Sequence, residues 1–265
     1  TEGLAHFLEH MLFLGTQRYP LAGDYQAFIS EHGGSHNAST SLEHTNYFFS
    51  IDADYLEDAL DRFAPFFFEP TFDAKYVNRE RNAVESEYQL KLKSDSRRQW
   101  DVLREIINPQ HPLSKFTVGN NQTLVDGENG LLRDQLIKMY NHYYSANLMT
   151  LVVLGNESID KLQTMVENQF RPVANNNRVI EPYNVPLVES NRLPLKASVK
   201  PLKELRELSL LFELPQQDGN WKVKPAMYLG EMIGYEGQGS LLQALKEKGW
   251  AESLSAGPAL SDRGA

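Results

Sequence analysis

Apolar residues recur at helical spacing near the start of the chain. The run from residue 4 to residue 14 reads LAHFLEHMLFL, and its apolar positions lie three or four residues apart: Leu4, Phe7, Leu8, Met11 and Leu14. This spacing is typical of a helix, in which successive residues turn by about 100°. The polar residues His6, Glu9 and His10 then share another face, where a surface helix would have Lys, Glu or Gln.

These three polar residues suggest metal chemistry. Two histidines one helical turn apart can bind a single tetrahedral metal ion, and the glutamate between them points to the same side. The order H-x-x-E-H is the signature of the inverzincin metallopeptidases. A chance match of five residues, or a histidine that is simply part of a core, is the alternative at this point.

The rest of the pattern predicts further helices and strands. We expect helices at residues 24–32, 55–67, 72–107, 131–144, 159–170, 225–235 and 240–248, and strands at 45–51, 147–154, 207–214 and 251–256. The small polar residues at 36–40 precede the first of these strands and predict a sheet edge, whose unpaired backbone groups could bind another chain. A plain loop is the alternative for this segment.

The predicted helix at 72–107 carries three carboxylates close together. Measured from Glu80, helical geometry puts Val84 and Glu87 within about 80°, on the apolar side, and Glu85 at about 140°, on the solvent side. Glu80 and Glu87 are therefore expected to face inward, where a carboxylate needs a partner or a metal ion. An inward salt bridge to an arginine is the alternative.

Residues 171–194 are rich in Asn and Pro and lack periodicity, which indicates a linker. We place a domain boundary near residue 185, with a metal-binding domain at 1–185 and an incomplete second domain at 186–265. Laying residues 227–232 on residues 6–11 puts Met227, Gly230 and Glu231 where the first domain has its motif. This weak repeat predicts a second domain without metal ligands, unless the match is due to chance.

Composition narrows the candidate functions. The chain has 265 residues, 41% of them hydrophobic, which is enough for one large or two smaller domains. Its net charge of −9 argues against a nucleic-acid partner, and no apolar run is long enough to predict a membrane span. Because cysteine is absent, any metal must be held by His, Asp or Glu. The first residue is Thr1, so we expect the sequence to be a piece of a longer chain.

Longer stretches add a family resemblance. LAHFLEHMLFLGT, SLEHTNYFF, RNAVESEY, HYYSANLMTLVVLG and GYEGQGSLLQALKEKGW follow one another along the chain. They closely resemble the pitrilysin/insulin-degrading-enzyme (insulinase) family of zinc metalloendopeptidases, most of all the amino-terminal part of its bacterial members. The resemblance implies an α+β fold of the processing-peptidase-like metallohydrolase type. Such a domain has a mixed, largely antiparallel sheet with helices packed on one face, and part of a second related domain follows it here.

The resemblance also implies the chemistry of the site. One Zn²⁺ per chain would be bound by His6, His10 and Glu87, with Glu9 as the general base. Glu80 matches an acid that orients a ligand imidazole through its free N–H. The substrates would be peptides and small proteins, held in a chamber that needs the carboxyl-terminal half of the polypeptide. Bacterial members are exported, so we expect a periplasmic or secreted location.

Two substrate-binding regions follow from the same resemblance. Asn37 and Ala38 match the edge strand that pairs with the peptide backbone of a substrate. Gly234, Glu236 and the stretch from Leu254 to Ala256 match a remote site that holds the amino-terminal end of a substrate. Here the sequence SLSAGPALSD departs from the family, because it lacks the paired glycines of the mammalian relatives.

Two alternatives to a zinc endopeptidase are a non-catalytic relative that binds peptides or serves as a scaffold, and a structural zinc site. The presence of His6, Glu9, His10 and Glu87 argues against the first, and the second would need a fourth protein ligand, which is not evident. His32, His36 and His44 lie nearby in sequence, but we expect each of them to be a surface or loop histidine. We further expect the isolated chain to bind zinc but to cleave peptides poorly.

Overall fold

A computed structural model of the chain describes residues 1–128, 130–180, 185–215 and 218–259. The chain forms two compact units. The first contains Thr1–Leu103, Lys115–Ile180 and Val199–Lys203, and the second contains Arg104–Ser114, Glu181–Ser198 and Glu204–Ala265. Part of the predicted linker, residues 181–184, and the closing residues 260–265 lie outside the described residues. The boundary near residue 185 stays a prediction.

Helices dominate the structure. In chain order the helices and strands are α1 (Leu4–Leu12), α2 (Asp24–Glu31), β1 (Ser35–Thr40), β2 (Thr45–Ser50), α3 (Leu56–Phe63), α4 (Ala74–Lys91), α5 (Asp95–Ile106), α6 (Leu132–Tyr143), α7 (Ile159–Phe170), α8 (Pro225–Ile233) and α9 (Leu241–Glu247). Of these, α8 and α9 belong to the second unit. Within the described residues, no helix combines the length and apolar character needed to cross a membrane.

Helix α1 lies in the core of the first unit. Gly3 precedes it with a positive φ of 78°, and Phe7, Leu8 and Met11 are at most 1% exposed. These side chains pack in one cluster with Ile29 of α2 and with buried residues of α4 and α6. The apolar stripe predicted for this helix is thus the side that anchors it, and its polar face is held in a fixed place.

The sheet is an antiparallel pair of β1 and β2, in which Asn37 is opposite Phe48 and Ala38 is opposite Tyr47. Strand β1 also packs beside α1. Within the described residues β1 pairs with β2 alone, so its other edge carries no strand. The α+β fold class and the polar strand at this edge are confirmed, and the plain loop is excluded.

Three predicted strands are not strands in the described part of the chain. The segments at 147–154, 207–214 and 251–256 form no ladder, apart from a short 3-10 turn at Ala146–Leu148. An apolar, β-branched sequence becomes a strand only when a neighbouring strand supplies its hydrogen bonds. Without such a neighbour Leu154 is 93% exposed and Leu208 is 84% exposed.

The single long helix predicted at 72–107 is two helices, α4 and α5. The carbonyl of Ser94 accepts from the Arg98 amide at 3.0 Å, which starts a new helix there. The next residue, Asp95, accepts the backbone amides of Leu202 and Lys203 at 2.9 and 3.1 Å. Ser and Asp favour helix starts, because their side chains bond to nearby backbone groups. The helical sequence pattern continues from α4 into α5, so the pattern alone does not reveal the break between the two helices.

Candidate metal centre

His6 is held by a loop that lies far away in sequence. Its Nδ1 is 2.7 Å from the backbone oxygen of Val118. A carbonyl oxygen can only accept a hydrogen bond, so His6 Nδ1 carries the proton. In the neutral ring the other nitrogen, Nε2, then has the lone pair, which is the form of histidine that binds a metal.

His10 lies one turn along α1, and its Nε2 is 3.3 Å from His6 Nε2. Its Nδ1 faces Glu80 Oε2 at 3.6 Å. Burial lowers the pKa of His10, but the nearby Glu80 carboxylate and the negative charges of Glu87 and Glu9 outweigh it and raise the pKa overall. Both histidines thus have Nδ1 engaged elsewhere and Nε2 turned to a common point.

Glu80 interacts both with a histidine of the candidate metal centre and with an arginine, which the sequence analysis gave as alternatives. The contact with His10 is the main cause that lowers the pKa of Glu80, against the opposing effect of burial, and Arg79 lowers the pKa further. Arg79 Nε donates to Glu80 Oε1 at 2.8 Å. One oxygen of this carboxylate therefore faces a histidine and the other binds an arginine.

Glu87 completes the group from helix α4. Its Oε2 is 3.5 Å from His6 Nε2, and its Oε1 is 3.6 Å from His10 Nε2. One ligand atom from each of His6, His10 and Glu87 lies within 4.8 Å of the other two. The side chain of Glu87 is 39% exposed, so solvent reaches the group from this side.

The donor spacing agrees with what zinc requires. Two nitrogens that each lie about 2.0–2.1 Å from a tetrahedral zinc are about 3.3 Å apart. The two Nε2 atoms are 3.3 Å apart. Two imidazoles and one carboxylate fit a zinc site of the catalytic type, which leaves one coordination position for water or substrate.

Two of the nearby histidines, His32 and His36, make other contacts in the described structure. His32 Nδ1 bonds to the Phe28 carbonyl at 2.7 Å, and the ring of His36 stacks on Tyr25 at 5.6 Å. In the described part of the chain, the only group of three or more candidate ligands is the one formed by His6, His10 and Glu87. This argues against a closed structural site with four protein ligands.

Glu9 is largely buried and is held by the sheet. It is 7% exposed, and its Oε2 accepts a hydrogen bond from the Thr40 hydroxyl of β1. The Thr40 hydroxyl is also 3.2 Å from that of Thr45. A second pair of hydroxyl groups, those of Tyr144 and Tyr47, lies 2.8 Å apart. The hydroxyls of Thr45 and Thr40 thus form a short chain that ends on one oxygen of the Glu9 carboxylate.

Glu85 does not join the group with Glu87, but it is not simply a solvated residue either. Its Oε2 accepts from the Asn121 amide at 2.7 Å, and its Oε1 accepts from Gln89 at 2.6 Å. The predicted separation of the carboxylates into two faces agrees with the structure. The outer carboxylate binds the same loop that contacts His6.

The predicted substrate residues fall into the two units. In the first, Asn37 is exposed, and its side-chain oxygen accepts from the Ala38 amide at 2.9 Å. In the second, Gly234 lies against Ala256, since a Cβ on this glycine would be 3.6 Å from the Ala256 nitrogen. Glu236 is exposed and Leu254 is partly buried. Substrate binding by these residues stays a prediction.

Sequence reasoning missed Thr40 and the contact between Val118 and His6. Thr40 stands at the end of the polar strand, and its hydroxyl gave no sign of a carboxylate partner. The Val118 contact uses a backbone carbonyl, which every residue has, so no residue type could reveal it. The only local sign of this contact in the sequence is Gly119, which follows Val118 and permits an unusual backbone conformation.

Comparisons with known proteins agree with this architecture. A family model described as "Insulinase (Peptidase family M16)" matches residues 1–115. A second, described as "Peptidase M16 inactive domain", matches residues 131–265. The metal group described above lies within the first match. The second match covers the carboxyl-terminal part of the chain and contains none of His6, His10 and Glu87.

Similar proteins come from several organisms. The chain is 43% identical over 258 residues to the A-factor-processing enzyme of Saccharomyces cerevisiae, covering 96% of the chain and 25% of that protein. It is 44% identical over 265 residues to the insulin-degrading enzyme of Homo sapiens, covering 99% of the chain and 26% of that protein. A Schizosaccharomyces pombe protein whose name includes the words "zinc protease" is 43% identical over 257 residues, covering 96% and 26%.

Among solved structures, the chain is similar to the crystal structure of pitrilysin, with a TM-score of 0.83 and 32% sequence identity. The match covers 96% of this chain and 27% of that one. The chain thus spans about a quarter of the length of the relatives it matches.

Proposed function

Since the chain belongs to the insulinase family of peptidases, peptidase family M16, we propose that it carries the catalytic centre of a zinc-dependent metalloendopeptidase. In this proposal His6, His10 and Glu87 bind one zinc ion. The observation that carries it is the convergence of two histidine Nε2 atoms, 3.3 Å apart, on the carboxylate of Glu87. The name "zinc protease" borne by one relative supports the choice of metal.

When bound, zinc supplies Lewis acidity to a water molecule and to a peptide carbonyl in the same small volume. The remaining chemistry belongs to side chains of this chain. Glu9, next to His10 on α1, accepts the proton of the attacking water and then returns it to the leaving amine. The Thr40 hydroxyl holds Glu9 Oε2, so the carboxylate is oriented before a substrate arrives.

Glu80 supports the metal ligands indirectly. Its Oε2 faces His10 Nδ1 at 3.6 Å, which keeps the proton of the ring on Nδ1 and the lone pair on Nε2. The Val118 carbonyl does the same for His6 at 2.7 Å. Both imidazoles therefore present a nitrogen that is ready to bind a cation.

The edge of β1 is the proposed binding place for a peptide backbone. The strand pairs with β2 on one side, and it packs beside the helix that carries His6 and His10. A peptide that adds to this edge as a strand would pair with Asn37 and Ala38. A carbonyl of the peptide would then replace the Asn37 side-chain oxygen as the acceptor for the Ala38 amide. Gly234, Glu236, Leu254 and Ala256 are the proposed remote site for the amino-terminal end of a substrate.

The activity of the whole protein is part of the proposal. Because the chain spans about a quarter of the length of its relatives, we propose that a complete substrate chamber needs a further part of the polypeptide. The isolated chain would then bind zinc and cleave peptides slowly. Export to the periplasm or to the outside of the cell is proposed from family analogy alone.

The variant Glu9→Gln tests the proposal, because it keeps the shape of the side chain and removes the base. Zinc content and hydrolysis of a fluorogenic peptide library should be measured for the wild type and the variant. We expect one zinc per chain in both and hydrolysis by the wild type alone. Zinc-loaded wild type without any hydrolysis would contradict the slow cleavage proposed for the isolated chain, and hydrolysis by Glu9→Gln would refute the base assignment.

A further inference from the structure

Two glycines touch where the amino-terminal end of α1 meets a distant loop. Gly3 and Gly119 both have positive φ, at 78° and 84°. A Cβ added to Gly3 would lie 2.2 Å from Gly119 Cα, and one added to Gly119 would lie 2.9 Å from Leu124 Cδ1 and 3.2 Å from Gly3 Cα. Gly3 has no room for a side chain, and one at Gly119 would force Leu124 and Gly3 to shift. Positive φ is also unfavourable for residues other than glycine.

The contact between Gly3 and Gly119 sets the position of the Val118 carbonyl group. Val118 immediately precedes Gly119, and its oxygen is 2.7 Å from His6 Nδ1. A side chain at Gly119 would push the loop away from α1 and lengthen this hydrogen bond. The imidazole of His6 would then be free to exchange its proton between the two nitrogens and to rotate.

The same loop is also tied to the helix that carries Glu87. The Asn121 amide donates to Glu85 Oε2 at 2.7 Å, and Glu85 lies two residues before Glu87 on α4. The ring of Phe116 meets that of Tyr88 at 5.5 Å, edge to face. The loop therefore connects both helices that supply candidate metal ligands.

We propose that residues 116–121, the clamp loop, position the metal ligands, with Gly119 as the positioning residue. Through Val118 the clamp loop fixes the tautomer of His6, and through Glu85 it fixes the turn of α4 that bears Glu87. The inference rests on the proposed function, because it assumes that His6 and Glu87 bind zinc. Outer groups that orient metal-binding histidines typically change metal affinity by about 10- to 100-fold when they are removed.

The test compares Gly119→Ala with the control Gly127→Ala in the 265-residue chain. Gly127 has open space around its Cβ position, so its substitution leaves the clamp loop unchanged. Zinc affinity is measured by competition with a chelator. The tautomer of His6 in the metal-free chain is read from ¹⁵N NMR of the imidazole nitrogens, assigned with His6→Gln. Glu85→Ala serves as a second variant, which releases α4 without straining a glycine.

We expect Gly119→Ala to bind zinc about 10- to 100-fold more weakly than the wild type and to lose the single Nδ1–H tautomer of His6. Glu85→Ala should weaken zinc binding as well, and it decides the question if Gly119→Ala does not fold. Wild-type affinity in every variant that folds, together with an unchanged His6 tautomer, would overturn the inference and leave the proposed function intact. A wild-type chain that binds no zinc would overturn the proposed metal centre and the inference with it.

Discussion

The hydroxyl of Thr40 offers a sharp test of how Glu9 is oriented. Replacing Thr40 with Val keeps the branched shape that suits a strand and removes the only atom that bonds to Glu9 Oε2 from β1. Glu9 is 7% exposed, and the valine side chain offers no group that could replace the lost hydroxyl as a donor. The carboxylate would then lose a charged hydrogen bond and its fixed orientation.

The expected fall in kcat follows from the energy of the hydrogen bond that Glu9 loses. A hydrogen bond to a charged group contributes about 1.5–3 kcal/mol. If this energy serves to orient the base, its loss corresponds to a fall in kcat of about 10- to 150-fold, since each factor of ten equals about 1.36 kcal/mol. Zinc affinity and KM should change little. The Thr40 hydroxyl bonds to Glu9 and Thr45, and it contacts neither the candidate metal ligands nor the proposed peptide-binding residues Asn37 and Ala38.

The assay combines steady-state hydrolysis of a fluorogenic peptide with urea unfolding of the metal-free chain. Thr40→Ser keeps the hydroxyl and should recover most of the rate. In a Glu9→Gln background, Thr40→Val should lower stability less than it does in the wild type, because the charged acceptor is gone. A Thr40→Val variant with wild-type kcat and wild-type stability would refute this account of Glu9.

Three further predictions concern other parts of the first unit. Glu80→Gln should weaken zinc binding by about 10- to 100-fold, because its carboxylate faces His10 Nδ1 at 3.6 Å; unchanged affinity in a chelator competition would exclude the orienting role. Leu136→Ala, at a position that is 0% exposed, should lower the free energy of unfolding by about 2–5 kcal/mol. Its control Leu131→Ala, at 59% exposure, should change stability by about 0.5 kcal/mol or less, and equal effects in urea unfolding would contradict the described core. Burial raises the pKa of Tyr144 from its ordinary value of 10.0 to about 12. Between these values the folded chain binds more protons than the unfolded chain, so stability should be complete below the lower value and fall as the pH rises towards 12. Tyr144→Phe should reduce this fall, and an identical pH dependence of unfolding in the variant would show that Tyr144 does not cause it.

Local periodicity explains what the sequence could predict about the candidate centre. Helix α4 runs without a break from Ala74 to Lys91, so helical angles alone separate Glu87, beside the histidines, from Glu85. The same holds for α1, whose apolar stripe fixes the direction of His6 and His10. Where one regular element carries all the residues in question, spacing is enough to predict their relative directions.

Contacts between distant segments could not be predicted in this way. Val118 lies 112 residues from His6, and Thr40 lies 31 residues from Glu9. Their meeting depends on the path of the whole chain, and one of the groups is a backbone carbonyl that has no sequence signal. The apolar segment at 147–154 fails as a strand for a related reason, because strand formation depends on a partner that lies elsewhere in the chain.

Zinc binding by the purified chain tests the central claim most directly. Zinc content and affinity should be compared between the wild type and Glu87→Ala, which removes the donor that α4 brings to the two histidines. We predict one tightly bound zinc per wild-type chain and a large loss of affinity in the variant. A wild-type chain that binds no zinc, or a Glu87→Ala chain that binds it equally well, would contradict the proposed centre.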